Sequence, residues 1–497
     1  MMGDVFFQDR VLSAADQADR GARLAGGLRS LGMREGDVVA VLLRNDLPYV
    51  DIVWACRLAG VSYCPINWHF TADEVAFIVS DSGAKVMIAH GDLLDAVSDR
   101  LPAALALLAV GDTMVTRAQP YEPWLAQAQR YDGPRVSPRG HTAYTSGTTG
   151  RPKGVVRQPI PLAELPARQA AMQQVVEQTF GLRAGTRVLL PAPIYHSGPS
   201  GFLQGALTVA DRVVLHGRFD AEAVLADIEA HRIDTIYLVP IMYVRMLRLP
   251  EATRRRYDLS SLRFIASTGS PCAPEVKRAM IDWLGPVVHE TYASSEAGMV
   301  TCIDSTEALA RPGSAGRPVG QAQVRIFDEQ GAPCATGEIG MIYVRQPAYA
   351  DFTYRHNDAA RRAIERDGLI SLGDMGYVDA DGYLYVCDRA SDMVISGGVN
   401  IYPAEIEHRL LAYPGVADCA VFGVPDPEYG ERLLAVIEPS ADTALDADAV
   451  QDWLRAGLSS FKVPREMTFA RLPRDDSGKI AKRKLRDRYW EGHARRV

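Results

Sequence analysis

"AEAVLADIEAHRIDTIYLVP", residues 221–240, contains one unit of the pattern that decides the fold. Its first half spaces apolar residues three or four apart, as an amphipathic helix does, and its second half is a short apolar strand. The same order occurs in a helix-like segment at 13–33 followed by "DVVAVLL" (37–43), and "LRFIAST" (262–268) adds another strand. Strands separated by helix-length segments predict an α/β fold of mostly parallel sheets with crossover helices.

The sequence changes character after residue 376. In "GYVDADGYLYVCDR" two short strand-like runs flank Asp381-Gly382, which predicts a hairpin. A strand, a helix and another strand follow, before a basic tail. A chain of 497 residues is too long for one core. We therefore predict a large N-terminal domain over residues 1–390 and a small α+β C-terminal domain over residues 391–497.

The composition excludes several classes of protein. Hydrophobic residues make up 47% and charged residues 23% of the chain, as in soluble globular proteins. The net charge of −7 argues against a nucleic-acid partner. Seven cysteines without a C-x-x-C pair indicate a reduced protein without structural zinc. The absence of a signal-peptide core and of an apolar run of about 18 residues predicts a cytoplasmic protein without integral membrane contact.

A short loop carries the first chemical signal. "YTSGTTGRPKGVV" (144–156) places three threonines, a serine and three glycines around Lys153. Hydroxyls, a flexible backbone and a cation suit a polyphosphate. The common nucleotide-loop pattern G-x-x-x-x-G-K-[ST] does not apply, because Pro152 stands where it requires glycine. The sequence thus indicates a phosphate site of another geometry.

Further landmarks follow this loop along the chain. They are "PIYHSGPSGF" (193–202), "STGSPCAPE" (267–275), "ETYASSEAG" (290–298), "SLGDMGYVDADGYLYVCDRASD" (371–392), "ISGGVNIYPAEIE" (395–407) and "PRDDSGKIAKRKLR" (473–486). In this order they resemble the adenylate-forming (AMP-binding) superfamily, in particular its acyl-CoA synthetases. The resemblance covers nearly the whole chain. It implies an AMP-forming acid–thiol ligase that uses ATP, Mg²⁺ and coenzyme A, with a small C-terminal domain that is mobile.

The resemblance also implies a reaction and its catalytic residues. A carboxylate, ATP and CoA would give acyl-CoA, AMP and pyrophosphate through an acyl-adenylate. Because carboxylate and ATP are both anionic, the site must supply positive charge and positioning. Lys479, delivered by the mobile domain, is the implied cation. Glu296 would hold Mg²⁺, Ser295 would contact phosphate, and His196 would gate the acyl pocket.

The remaining implied residues would bind ATP and CoA. The implied contacts to the phosphates of ATP are Thr145, Ser146, Gly147, Thr148, Thr149, Gly150 and Lys153. The implied contacts to adenine and ribose are Gly269, Ser270, Pro271, Tyr292, Asp374 and Arg389. The implied contacts to CoA are Gly397, Gly398 and Lys462. Domain rotation is expected at Ser391, where the family usually carries Asp or Lys, because hinges need tolerant torsions rather than charge.

The acyl group is less defined by the sequence. Gly198, Ser200, Gly201 and Gly205 leave space near His196 for an extended or aromatic substituent. No cationic residue near this segment demands a second carboxylate. A medium- or long-chain fatty acid is slightly preferred, and an aryl or arylalkyl acid is the alternative.

Other functions are disfavoured. An amino-acid adenylation domain usually has an aspartate near 193–202 to pair the substrate ammonium, and none is present there. A nucleotide-binding regulator would need no lysine delivered from a mobile domain, whereas both Glu296 and Lys479 are present. Luciferase-type oxidation stays open from motifs alone. The expected partners are a small carboxylic acid, ATP and CoA, and a homodimer is left open.

Overall fold

The computed structural model describes residues 3–145, 152–440, 443–474 and 480–491. The helices in these ranges are α1 Ala14–Ser30, α2 Pro48–Ala59, α3 Ala72–Ser82, α4 Gly91–Val97, α5 Tyr121–Gln127, α6 Leu165–Phe180, α7 Ser197–Val209, α8 Ala221–His231, α9 Pro240–Leu247, α10 Glu251–Arg254, α11 Pro274–Leu284, α12 Ser305–Ala310, α13 Asp358–Ala363, α14 Pro403–Leu411, α15 Ala447–Arg455 and α16 Lys482–Asp487, with 3₁₀ turns at Ser98–Arg100 and Ser460–Lys462.

The strands in the same ranges are β1 Asp4–Phe7, β2 Arg10–Leu12, β3 Val38–Leu42, β4 Ser62–Pro65, β5 Val86–His90, β6 Ala106–Val110, β7 Gln119–Pro120, β8 Ala143–Thr145, β9 Lys153–Arg157, β10 Arg187–Leu190, β11 Arg212–Leu215, β12 Thr235–Leu238, β13 Phe264–Ser267, β14 Val288–Ser294, β15 Gly298–Ile303, β16 Arg317–Pro318, β17 Gln323–Phe327, β18 Gly340–Arg345, β19 Phe352–Tyr354, β20 Glu365–Arg366, β21 Leu369–Val378, β22 Leu384–Arg389, β23 Val394–Ser396, β24 Val399–Ile401, β25 Val416–Asp426, β26 Gly430–Pro439 and β27 Glu466–Phe469.

Two mostly parallel sheets form the body of the N-terminal domain. The first has the strand order β16-β15-β14-β13-β12-β10-β11-β1-β2. Its six central strands, β14, β13, β12, β10, β11 and β1, run parallel to one another. The second, β4-β3-β5-β6-β7, is parallel throughout. The predicted α/β fold is confirmed. The alternation of helix and strand predicted from residues 221–240 is present there, because helix α8 is followed directly by the central strand β12.

Local signals also fix the ends of the predicted elements. The Ser13 side chain accepts a hydrogen bond from the backbone N–H of Asp16 and so caps α1. Leu24 and Leu28 of this helix are buried. Gly32 follows the helix with a φ of 82°, a conformation that glycine adopts without steric cost. The amphipathic pattern at 13–33 therefore predicted a helix that is present.

Antiparallel strands carry the chain from the large sheets towards the C-terminal domain. β17, β18, β20, β21 and β22 form one such sheet, and β8, β9 and β19 form a smaller one. The hairpin predicted around Asp381-Gly382 joins β21 to β22, and Gly382 has a φ of 83°. Strands β8 and β9 lie on either side of residues 146–151 and pair antiparallel, with Thr145 opposite Lys153.

The C-terminal domain is a five-stranded sheet with helices, counted over its described residues. The strands run β24-β23-β26-β25, and β27 pairs parallel with β26. Ile406 and Leu410 of α14 and Val450 and Leu454 of α15 pack into its core. The small α+β domain is therefore present. Among the described helices, none is long and apolar enough to cross a bilayer.

Candidate active site

A cavity of about 2590 Å³ is lined by residues of both domains. The N-terminal domain contributes the carboxyl ends of parallel strands and the loops that follow them, which is where α/β folds bind ligands. The C-terminal domain contributes residues of α14, β25 and the segment around α16. Most of the residues predicted from the motifs can be located relative to this cavity.

Three of the predicted nucleotide residues form one polar cluster. Tyr292, at the end of β14, donates its hydroxyl proton to Asp374 Oδ2 over 2.5 Å. Asp374 on β21 stands opposite Arg389 on β22 in the hairpin register, and their side chains form an ion pair of 3.0 Å. Burial raises the pKa of Asp374, and the charge of Arg389 opposes that rise. The hairpin thus presents a buried carboxylate beside an aromatic ring.

Glu296 lies in the turn between β14 and β15, next to that cluster. Its Oε1 accepts a hydrogen bond from the Tyr354 hydroxyl at 3.1 Å and a long one from Thr145 Oγ1 at 3.5 Å. The ammonium group of Lys153 lies 5.2 Å from the centre of the Tyr354 ring. Thr145 and Lys153 are therefore brought close to Glu296, which is far from both in the sequence. A carboxylate among hydroxyls offers hard oxygen donors of the kind that Mg²⁺ prefers.

Arg157 is a positioning residue that the sequence did not reveal. Its guanidinium donates to the backbone carbonyls of Ser295 at 2.7 Å, Glu296 at 3.0 Å and Ala350 at 2.8 Å. It also stacks 4.8 Å from the centre of the Tyr349 ring. One cation thereby joins β9, the Glu296 turn and the 348–352 loop. No motif signalled this role, because it depends on carbonyl groups distant in the chain.

The predicted adenine-side turn follows β13. Gly269, Ser270 and Pro271 line the cavity, and Gly269 has a φ of 98° with no atom within 4 Å of the position of an added Cβ. The backbone there is open to a ligand. The rest of the predicted phosphate loop, namely Ser146, Gly147, Thr148, Thr149 and Gly150, lies outside the described residues.

His196 and Ser295 lie where the nucleotide cluster meets a second part of the cavity. His196 precedes α7, and the Oγ atoms of Ser197 and Ser295 are 2.7 Å apart. A slot then runs between two helices. We call it the α6–α7 slot. It is lined by Met172, Val176 and Phe180 of α6 and by Gly198, Gly201 and Gly205 of α7.

The glycines on α7 determine the width of this slot. A Cβ on Gly198 would lie 2.2 Å from the Tyr237 hydroxyl oxygen, and one on Gly205 would lie 2.9 Å from Leu182. A Cβ on Gly201 would meet only Phe180, at 3.9 Å. The rings of Phe180 and Tyr237 pack edge to face, with centroids 6.0 Å apart. The glycines therefore let α7 pack closely against these rings, and both border the slot. Ser200, predicted to leave space here, is instead fully buried and hydrogen-bonded.

Two further residues of the C-terminal domain, Arg474 and Ile480, border the cavity. Lys479 itself lies outside the described residues. Arg474 and Ile480, which flank residues 475–479, form an antiparallel bridge and both line the cavity.

A charged cluster connects α16 to β22. Lys482 on α16 forms an ion pair of 2.7 Å with Glu407 on α14. Asp388 Oδ2 accepts a hydrogen bond from the backbone N–H of Ala404 at 2.9 Å. Burial raises the pKa of Asp388 to about 6 despite the nearby Lys482. Arg486, which is also on α16, donates a hydrogen bond to the backbone carbonyl of Ser391 at 3.0 Å. Asp388, Glu407 and Lys482 lie within the quoted motifs, but the resemblance assigned no role to them.

The residues predicted for CoA lie elsewhere. Gly397 and Gly398 form the exposed turn between β23 and β24, with φ values of 58° and 81°. Lys462 forms an ion pair of 2.6 Å with Glu405. Within the described residues, none of these three is among those that line the cavity. Their assignment to CoA stays a prediction.

Comparison with known protein families identifies both parts of the chain. The AMP-binding enzyme family matches residues 4–351, and the AMP-binding enzyme C-terminal domain matches residues 405–479. The resemblance to adenylate-forming enzymes that the motifs predicted is confirmed.

Curated relatives align over nearly the full length. Feruloyl-CoA synthase of Amycolatopsis sp is 36% identical over 486 residues, covering 96% of this chain and 94% of that protein. Indoleacetate–CoA ligase of Aromatoleum aromaticum is 32% identical, covering 97% and 94%. Long-chain-fatty-acid–CoA ligase FadD13 of Mycobacterium tuberculosis is 30% identical, covering 94% and 91%. An enzyme of the acyl-CoA synthetase type, as predicted, is confirmed at this level.

Solved structures share the whole architecture. Amide bond synthetase McbA from Marinactinospora thermotolerans superposes with a TM-score of 0.87 at 26% identity, covering 98% of this chain and 97% of that one. o-Succinylbenzoate CoA synthetase (MenE) from Bacillus subtilis, in complex with the acyl-adenylate OSB-AMP, superposes with a TM-score of 0.83 at 27% identity, covering 97% and 95%. The predicted two-domain fold class is thereby confirmed.

Proposed function

This chain belongs to the AMP-binding enzyme family, and we propose that it is an ATP-dependent acid–CoA ligase whose acid is aromatic or arylalkyl. One observation carries the proposal. The nucleotide cluster and the α6–α7 slot open into the same cavity and meet at His196 and Ser295. An acid in the slot would then direct its carboxylate at the α-phosphate of ATP.

Binding of the nucleotide would use groups that are already oriented. Asp374 would accept hydrogen bonds from the ribose hydroxyl groups, while Arg389 balances the charge of Asp374. The phenol of Tyr292 is anchored on Asp374, which fixes the plane of its ring for stacking on adenine. Gly269, Ser270 and Pro271 would border the adenine and the carboxylate through their backbone. These contacts position ATP before any reaction begins.

Activation of the acid would depend on placing positive charge. Glu296 would hold Mg²⁺, which supplies charge to phosphate oxygens when bound. Tyr354 and Thr145 orient that carboxylate, and Arg157 fixes its peptide. Lys153 and the loop 145–150 would hold the outer phosphates, and Ser295 would add a phosphate contact. Lys479 would neutralise charge between the carboxylate and the α-phosphate, which is commonly the largest catalytic effect.

Transfer to CoA would follow a rotation of the C-terminal domain about Ser391. We place the boundary between the domains at residues 390 and 391 for this reason. The exposed Gly397-Gly398 turn would then line the pantetheine channel, and Lys462 would contact CoA. His196 would act as a movable gate next to the slot.

The aromatic substrate is favoured by the walls of the slot. An aromatic acid in the slot would pack beside the rings of Phe180 and Tyr237. The relatives named for feruloyl and indoleacetate substrates support the same class. A medium- or long-chain fatty acid, the preference from sequence, is the second candidate. It is supported by the extension of the slot along α7 to Gly205, where it is lined by Val176.

A pyrophosphate-release screen tests the proposal. Carboxylic acids of graded length and aromaticity are assayed with ATP and Mg²⁺, with and without CoA. We expect release that depends on the acid, is greatest for arylalkyl acids and becomes continuous when CoA is present. A preference that rises steadily with aliphatic chain length would favour the second candidate. Absence of acid-dependent release across the screen would refute both.

A further inference from the structure

The α6–α7 slot leads to a polar cluster that the proposed reaction does not use. Gln204 of α7 lines the cavity, and its Nε2 donates to Nδ1 of His141 over 2.9 Å. Burial, helped by the charge of Arg157, lowers the pKa of His141 to about 4, so its ring is neutral at pH 7. A neutral imidazole carries one proton, which is then on Nε2. His141 therefore offers a hydrogen-bond donor in this part of the cavity.

Tyr63 connects this pair to a cation. Its hydroxyl shares a hydrogen bond of 2.6 Å with Ser200, and its backbone bridges to His141. Burial raises the pKa of Tyr63, and the neighbouring Ser200, Arg57 and Gln204 oppose that rise. Arg57, from the last turn of α2, thus lies close to the same phenol as Gln204. It also lines the cavity.

Arg57 lacks a counter-ion among the residues that the structure describes. In those ranges it makes no hydrogen bond or ion pair, and its guanidinium lies 5.2 Å from the Trp54 ring centre. Burial lowers its pKa. A desolvated cation without a partner is costly, so its presence on a cavity wall points to an anionic ligand.

Arg139 adds a second cation two residues before His141. Its side chain is 18% exposed, and its nearest carboxylate in the described residues is Glu35, at 4.0 Å. The Nε atom is buried without a described partner. Arg139 lines the cavity as well. Its charge is therefore balanced by one distant carboxylate, while its Nε has no described partner.

The position of this cluster sets the distance between the two acidic groups of a bound substrate. Gln204 comes eight residues after His196, which corresponds to about 12 Å along the axis of α7. A carboxylate reacting beside His196 and a second acidic group beside Gln204 would thus be separated by a para-substituted arylalkyl spacer or by a medium-length chain. A short diacid would not reach both ends.

We infer that Arg57, Arg139, His141 and Gln204 form a second carboxylate subsite, so that the substrate is a dicarboxylic acid with an aromatic or extended spacer. This inference rests on the proposed ligase function and names its substrate class more narrowly. The segment 193–202 contains no cation, and for that reason the sequence near His196 did not indicate a diacid. The two arginines come from α2 and from the segment before β8.

A pair of nearly isosteric acids tests the subsite. 4-Carboxycinnamic acid and 4-nitrocinnamic acid have para groups of nearly the same size and shape, and only the carboxylate carries a net charge. We expect kcat/KM for the diacid to exceed that for the monoacid by about 10–100-fold, the range for hydrogen bonds to charged groups. Arg57→Met should remove most of this preference by raising KM for the diacid, with the KM for ATP unchanged. Arg57→Lys should restore part of it.

Controls separate recognition from folding. Arg135→Met changes an exposed arginine nearby in the chain, and it should leave the preference intact. Because Arg57 has no described ion-pair partner, Arg57→Met should melt at or above the temperature of the wild type. A wild type that prefers the monoacid would overturn the inference, as would an unchanged preference in Arg57→Met.

Direct binding distinguishes failure of the subsite from failure of the ligase proposal. Isothermal titration calorimetry of each acid to the full chain needs no turnover. Tighter binding of the diacid to the wild type than to Arg57→Met would support the subsite even if no acid released pyrophosphate. Equal binding of the two acids to the wild type would refute the subsite whatever the catalytic result.

Discussion

The nucleotide side of the cavity and the α6–α7 slot differ in how their polar groups are satisfied. On the nucleotide side, Asp374 is hydrogen-bonded by Tyr292 and paired with Arg389, and Glu296 is oriented by Tyr354. In the slot, α7 presents glycines without side chains. In the polar cluster to which the slot leads, Arg57 has no described counter-ion. The first region is the one that we propose to bind ATP. The second leaves its shape and charge to be completed by the acid.

This difference predicts two classes of variant. Changes on the nucleotide side, or in the residues brought to it, should impair the reaction with every acid. Changes in the slot should alter the choice of acid and leave the use of ATP intact.

Lys479→Ala should have the largest effect. Loss of the charge proposed to act between two anions should slow adenylate formation by about 10²–10³-fold for every acid. Single-turnover measurement of pyrophosphate release checks this. Thioester formation from a supplied acyl-adenylate should survive, and equal loss in both half-reactions would contradict the assigned role.

Ser391→Pro should have the opposite effect on the two half-reactions. Proline restricts φ and so opposes rotation at the proposed hinge. We expect CoA transfer to fall by about 10-fold or more, while pyrophosphate release in a single turnover changes little. The two half-reactions are measured separately, with Ser440→Ala as a control outside the hinge. Unchanged CoA transfer would place the hinge elsewhere.

Gly201→Val should change only the choice of acid. The new side chain would enter the slot beside Phe180, where a Cβ has space at 3.9 Å. We expect kcat/KM for long arylalkyl acids to fall by about 10-fold, as for a few methylenes of lost space. Benzoate, which does not extend along α7, and the KM for ATP are the internal controls. A uniform loss for all acids would contradict the separation of the two regions.

Asp388→Asn should have the smallest effect, on stability alone. Because the pKa of Asp388 is raised to about 6 in the folded protein, its contribution to stability is present below its unfolded pKa of about 4 and is lost as the pH rises through 6. The melting temperature of Asp388→Asn relative to wild type should therefore rise between pH 4 and 7, by about 2–4 °C. Exposed Asp99→Asn is the control. A constant difference across this range would contradict the titration.

The sequence predicted the hairpin that carries Asp374 because its signals are local. Strand register alone sets Asp374 opposite Arg389, whereas the nucleotide-binding roles of these residues stay predictions. The alternation of helix and strand likewise predicted the parallel sheets. Lys479 and the loop 146–150 lie outside the described residues, so their roles stay predictions.

The rest could not be predicted because it arises from packing between distant segments. Arg157 acts through carbonyls more than 130 residues away. Arg57 on α2 and Gln204 on α7 both line the cavity, and both lie near Tyr63 of β4. No spacing within a segment encodes such a juxtaposition. The charge at the end of the slot was therefore missing from the sequence-based view of the substrate.

Mass spectrometry of a single turnover tests the ligase mechanism most directly. The protein is mixed with ATP, Mg²⁺ and an arylalkyl acid, quenched, and mixed again with CoA before a second quench. We predict an acyl-adenylate in the first sample and its replacement by acyl-CoA and AMP in the second. Formation of ADP and phosphate, or of no acid-dependent product, would contradict an adenylate-forming acid–CoA ligase.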